Sequence, residues 1–178
     1  MQNYIISLGE ASETPIKGTD KVGGLPTYMP NKIPRPTPIS GYFLMEIYNH
    51  GFDDDEDIIC WQFYQGEKGG FIDEVIEIRK GASLYDDKSE LICKRRWLRE
   101  YSIQFEACES NQLNENVSRI GGDIPSVAVK DIKRKKIRYL GTIKEDFCPN
   151  DELGLKDYDI VIGFDKKGKM GGWSFDED

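Results

Sequence analysis

Histidines and cysteines are the side chains that most often do chemistry near neutral pH, and this chain has few. His50 is the only histidine, and Cys60, Cys93, Cys108 and Cys148 are the four cysteines, no two of them at C-x-x-C spacing. One histidine leaves no room for a histidine-rich metal centre or a Cys-His zinc site. A Ser-His-Asp or Cys-His arrangement would have to use His50 itself. That residue stands beside Gly51 and a run of acids, and no G-x-S-x-G segment occurs elsewhere. We read His50 as a solvated turn residue. The run Asp53-Asp54-Asp55-Glu56-Asp57 offers oxygen ligands for Ca²⁺ but lacks the D-x-D-x-D-G spacing and the distant bidentate Glu. A self-repelling loop tip is the simpler reading. Phosphate-cradling motifs of the G-x-x-x-x-G-K-[ST] and G-x-G-x-x-G types do not occur. The sequence therefore assigns no catalytic residue, no metal site and no cofactor.

The elements that position these residues follow from composition and periodicity. A chain of 178 residues with 38% hydrophobic and 11% aromatic residues can bury a substantial core. The net charge of −8 argues against broad phosphate binding. Basic residues are nonetheless grouped, as Lys94-Arg95-Arg96 with Arg99 and as Lys130, Lys133, Arg134, Lys135, Lys136 and Arg138. The second group has only Tyr139 as an aromatic neighbour, and we read it as a charged edge strand or connection rather than a nucleic-acid site. No stretch approaches the ~18 apolar residues of a membrane span. The opening residues lack a basic start and a long apolar run, so the expectation is a cytoplasmic protein with reduced cysteines.

Segments 3–8, 42–48, 58–64, 72–78, 101–107, 137–143, 160–164 and 170–175 read as strands, with Tyr101, Ile103 and Phe105 in clean alternation. Residues 49–57 connect a long hairpin, and Asp165-Lys166-Lys167-Gly168-Lys169 makes a second turn. Segment 91–101 suits a short helix or a strand. Between Thr14 and Ser40, repeated prolines and glycines predict an extended, irregular segment. The fold class is mainly β (α+β with minor helix), with antiparallel sheets in one domain spanning 1–178.

One pattern repeats. Lys21-Val22-Gly23-Gly24-Leu25-Pro26 returns 98 positions later as Arg119-Ile120-Gly121-Gly122-Asp123-Ile124-Pro125. Gly69-Gly70-Phe71 is echoed by Gly171-Gly172-Trp173. The spacing suggests two related halves, 1–100 and 101–178. Paired glycines permit positive φ and close backbone approach, which makes Gly23, Gly24, Pro26, Gly121 and Gly122 either structural turns or a ligand loop.

These residues carry a family resemblance. Lys21 to Pro30 resembles the opening motif of the YwqG-like bacterial proteins, Trp61-Gln62-Phe63-Tyr64 is similar to their internal Gln-aromatic strand, and Arg119 to Pro125 resembles their second Gly-Gly-Pro motif with one extra residue. Asp151-Glu152-Leu153-Gly154-Leu155 echoes their late acidic-Leu-Gly segment, but Lys156-Asp157-Tyr158 stands where they have Trp-Gly-Asp. The resemblance implies a β-rich fold and little about activity.

A small acidic β protein without catalytic residues is most economically a binding protein. One class with this profile is the immunity protein, which covers a bacterial toxin. An acidic inhibitor of a basic toxin gains association rate from steering. The expected contacts are Asp53, Asp54, Asp55, Glu56 and Asp57, then Tyr28, Met29 and Arg35 in the proline-rich segment. The alternative is a small-ligand binder or enzyme with a cleft between the two Gly-Gly-Pro loops.

Overall fold

A computed structural model describes residues 1–34, 41–66, 72–86, 92–94, 98–155 and 158–176. Arg35, the Gly69-Gly70-Phe71 pair and Lys156-Asp157 lie outside the described residues. The expected strands form, as β1 (Asn3–Ala11), β3 (Tyr42–Tyr48), β4 (Ile58–Gln65), β5 (Ile72–Arg79), β7 (Tyr101–Cys108), β9 (Arg138–Ile143), β10 (Tyr158–Phe164) and β11 (Met170–Asp176). Three two-residue strands join them: β2 (Lys21–Val22), β6 (Cys93–Lys94) and β8 (Arg119–Ile120). All belong to one sheet of order β11-β10-β9-β8-β1-β7-β2-β3-β4-β5, with β6 set parallel against β3 off this path.

The order is symmetric about its centre, where β1 and β7 pair antiparallel. Outward from β7 run β2 to β5, and outward from β1 run β8 to β11. Each series is consecutive in the chain except for its first strand, which is exchanged: β1 pairs β8, and β7 pairs β2. The sheet curls until its two end strands meet, Ile72 of β5 facing Gly172 of β11, although no ladder joins them. The interior holds Leu44, Met45 and Ile47 of β3, Trp61 and Phe63 of β4, and Ile160, Ile162 and Phe164 of β10.

Both flanks of the sheet are also covered. Phe43, Cys60 and Tyr64 point outward beneath Leu25, Tyr28 and Met29, which follow β2. Val161 and Phe175 point outward beneath Ala128 and Ile132, which follow β8. This double burial explains why β4 is buried along nearly its whole length, Gln62 and Gln65 included, instead of alternating. The basic stretch after Ala128 is not an edge strand. It forms α1 (Val129–Lys135), because Ala128 and Ile132 share a buried face at helical spacing. Lys133, Arg134 and Lys135 sit in its last turn, where the helix dipole favours cations, and Lys136 ends it at φ 54°. No helix among the described residues is long and apolar enough to cross a membrane.

Candidate functional site

The two Gly-Gly loops are built alike. Gly23 donates its N–H to Leu44 O and Gly121 to Leu140 O, each at 2.7 Å, which carries the chain one step past its short strand. Both glycines have positive φ, 77° and 84°. A side chain on Gly23 would overlap the Arg99 carbonyl oxygen, and one on Gly121 would overlap Asn3 Oδ1. The basic residue ahead of each pair is buried and serves as a hydrogen-bond hub. Lys21 Nζ donates to Ile16 O, Leu25 O and Glu100 Oε1. Arg119 donates to Asn114 O, Val117 O and Asp123 O. Each cation thus holds the loop on either side of its own strand. Gly23 lies at the Tyr101–Ala11 end of the β1–β7 pair and Gly121 at the Asn3–Cys108 end, roughly 25 Å apart at about 3.3 Å per residue. The two loops therefore do not frame one cleft. Pro26 is buried beside Thr27, within the segment that covers the outer face.

Tyr28 and Met29 are half-buried against the Phe43–Tyr64 cluster, and Met29 N–H donates to Ser83 O. Under them lies a wholly buried carboxylate. Glu46 Oε2 accepts from Thr27 N (3.2 Å) and Thr27 Oγ1 (2.8 Å), while Oε1 accepts from Gln62 Nε2 and Cys60 Sγ, both at 3.3 Å. Tyr64 Oη continues the chain to Gln62 Oε1 at 2.6 Å. Burial, reinforced by Glu46, pushes the Cys60 thiol and the Tyr48 hydroxyl far up. The late acidic-Leu-Gly segment is scaffold as well. Burial raises the Glu152 carboxyl, but hydrogen bonds from Arg99 and Tyr101 outweigh it and hold the group below the usual range.

The expected contact loop lies at one end of the barrel, between β3 and β4. Its acids are organised. Asn49 Nδ2 donates to Asp53 O and Asp55 O, and Asn49 Oδ1 accepts from Asp53 N. Asp53 Oδ1 and Asp55 Oδ1 accept the N–H groups of Asp55 and Asp57. Asp55 pairs with Arg79, which holds its carboxyl low, and Asp57 reaches Lys80 at 3.5 Å. Asp54 and Glu56 remain exposed at the tip.

His50 is not a free turn residue. Its Nε2 lies 2.7 Å from Oδ2 of Asp20, a nearly buried acid whose Oδ1 accepts Tyr48 N–H. The hydrogen bond that its Nε2–H donates to Asp20 raises the imidazole pKa against the opposing effect of burial. The ring also packs on Phe52 and Phe105, with centroids 5.6 and 5.1 Å away. Beside it opens a cleft of about 520 Å³ whose walls include Tyr4, His50, Phe52, Asp54 and Arg138. The Arg138 guanidinium lies 4.0 Å over the Phe164 ring. Sequence reasoning missed Asp20, Tyr4 and Arg138 at this end, since only the fold brings them beside His50. The acidic loop was the available signal. Among the described residues, no group of three His, Cys, Asp or Glu side chains is placed to hold a metal ion. Compared with known proteins, the chain matches no family model, no curated sequence and no solved structure.

Proposed function

We propose that this is a non-catalytic binding protein that grips a basic protein partner with the β3–β4 end of its barrel, an immunity protein covering a basic bacterial toxin being the specific form. One observation carries the reading: an acidic tip held in a fixed shape borders an aromatic concavity. Asp54 and Glu56 form a charged rim, while Tyr4, Phe52 and Arg138 are the side-chain types that anchor interfaces. A loop already ordered by Asn49 loses little entropy on binding. The rim charges act mainly on encounter rate. The test is capture of a partner from the producing cells, followed by association kinetics at two salt concentrations. Asp54→Asn with Glu56→Gln removes the two acids of the loop that contact no described side chain or backbone donor; a slower on-rate and a flatter salt slope are expected. Unchanged on-rate and slope would remove this loop from the interface.

The enzyme alternative has one observation in its favour. The Asp20–His50 pair sets one imidazole nitrogen against a carboxylate beside a cleft, which is how a general base is oriented. His50→Gln would then abolish turnover of any substrate found, while a pure binding role would leave partner affinity nearly intact.

A further inference from the structure

On a chain of net charge −8, one concavity gathers cations. It lies in the seam where β5 and β11 part below the Ile72–Gly172 contact, and it encloses about 320 Å³, within the range of small-ligand sites. Trp61 lines it with Val75 and Met170, and three cations, Lys32, Arg79 and Lys169, share its wall with one acid, Glu77. Two of these cations are shared with acids: Lys32 pairs with Glu74, and Arg79 with Asp55 and Glu77. Lys169 is exposed and forms no ion pair with a described residue. The acid nearest to it in sequence, Asp165, has its Oδ1 occupied by the N–H groups of Lys167 and Lys169. Lys166 and Lys167 project from the same turn and add to the local positive field.

The apolar side of the seam also carries an unmet polar group. Trp61 is 1% exposed, its ring is fixed edge-on against Phe164 at 5.6 Å, and its indole N–H has no hydrogen-bond partner among the described residues. With no acceptor of its own, the N–H reports on whatever enters the seam beside the ring. The N–H is shielded from solvent, so a ligand that reaches it must part the seam. End strands with no ladder between them open more readily than hydrogen-bonded neighbours.

We infer that the β5–β11 seam binds a small organic anion, a carboxylate or phosphate carried on a flat apolar body. The body lies against Trp61, Val75 and Met170, and the anionic group meets Lys169 with Arg79 and Lys32 close by. This site is distinct from the His50 cleft, although the Arg79–Asp55 pair ties its wall to the β3–β4 loop.

Phenyl phosphate is a suitable probe, with inorganic phosphate and phenol as the anion and the body alone. The readout is the indole N–H resonance of Trp61, identified by its loss in Trp61→Phe. Saturable shifts with phenyl phosphate are expected, with each half-probe at least about tenfold weaker, as separate loss of about 1.4 kcal/mol would give. Lys169→Met sits on an exposed turn and leaves the fold alone; it should weaken phenyl phosphate about tenfold or more. Equal binding by Lys169→Met, equal binding of inorganic phosphate, or no shift of the Trp61 resonance at millimolar probe would each overturn the assignment.

Discussion

Replacing Glu46 with glutamine tests whether the outer face of the sheet is held together by an acceptor-only group. The carboxylate is fully buried and receives four donors, two on each oxygen. Glutamine keeps the volume but turns one oxygen into an N–H₂. Whichever way the amide is set, one pair of donors then faces another donor. With the new N–H₂ at the Thr27 side, the hydroxyl can rotate to accept but the Thr27 N–H cannot. With it at the other side, Gln62 and Cys60 lose their acceptor. A buried donor left unpaired costs about 1–3 kcal/mol, and two such groups with partial relief give about 2–4 kcal/mol. For a chain of this length each kcal/mol lowers Tm by about 2–4 °C, so the expected fall is about 4–16 °C. Thermal and urea unfolding followed by circular dichroism measure it, with Asp54→Asn as an exposed control that should stay within about 0.5 kcal/mol of the parent. A Glu46→Gln protein melting like the control would show that the network has no need of a carboxylate, and the reasoning would fail.

Gly23→Ala and Gly121→Ala should each cost about 2 kcal/mol or more, since both need positive φ and both lack room for a Cβ; urea midpoints equal to the parent's would contradict this. His50 should titrate above its ordinary value, because Asp20 stabilises the imidazolium. With a raised folded pKa, its contribution to stability is fully present below about pH 6.5 and fades as pH rises through the folded pKa. The stability gap between parent and His50→Gln should therefore be wider at low pH; one that widens toward alkaline pH would refute the pairing. The single imidazole signal gives the pKa directly by NMR. Cys60, Cys108 and Cys148 are free; Cys108 is partly exposed, whereas burial pushes the Cys148 thiol up to about 12 and Cys60 further. Native-state alkylation should modify Cys108 well before either, and rapid labelling of Cys148 in the folded protein would be the contrary result.

Strand positions were legible because each long strand carries a local apolar pattern, and β3, β4 and β10 stop at Asn49, Gly66 and Asp165. The hairpin β3–β4 needed only its two aromatic runs and the polar stretch between them. α1 was not legible in the same way, for its four cations hide a buried face made by Ile132 and the preceding Ala128. The exchange of β1 and β7 was beyond local pattern altogether. Alternation says which face of a strand is buried and nothing of which strand lies beside it.

The site divides along the same line. The Gly-Gly motif suited a structural turn or a ligand loop alike, because paired glycines give positive φ and close backbone approach in either role. Here the cation faces inward, and its hydrogens are taken by the carbonyls of its own loops, so Lys21 and Arg119 hold the backbone in place. The acidic run was visible as charge but not as five separate fates. Asp53 and Asp55 accept backbone N–H groups, and Asp55 and Asp57 face cations on β5 and just past it, contacts across 22 or more positions that no local reading supplies. The Asp54 and Glu56 carboxylates are left without a hydrogen bond or ion pair to a described residue, while Asp53 keeps its charge but has Oδ1 held by the loop. Exposed charges act over a Debye length of about 8–10 Å. Two of them can steer a basic surface only once it is within that range, and the aromatic wall of Tyr4 and Phe52 borders the same cleft as Asp54. The charge at this end can bring a partner in, and the rings and Arg138 beside it have to supply what keeps it there.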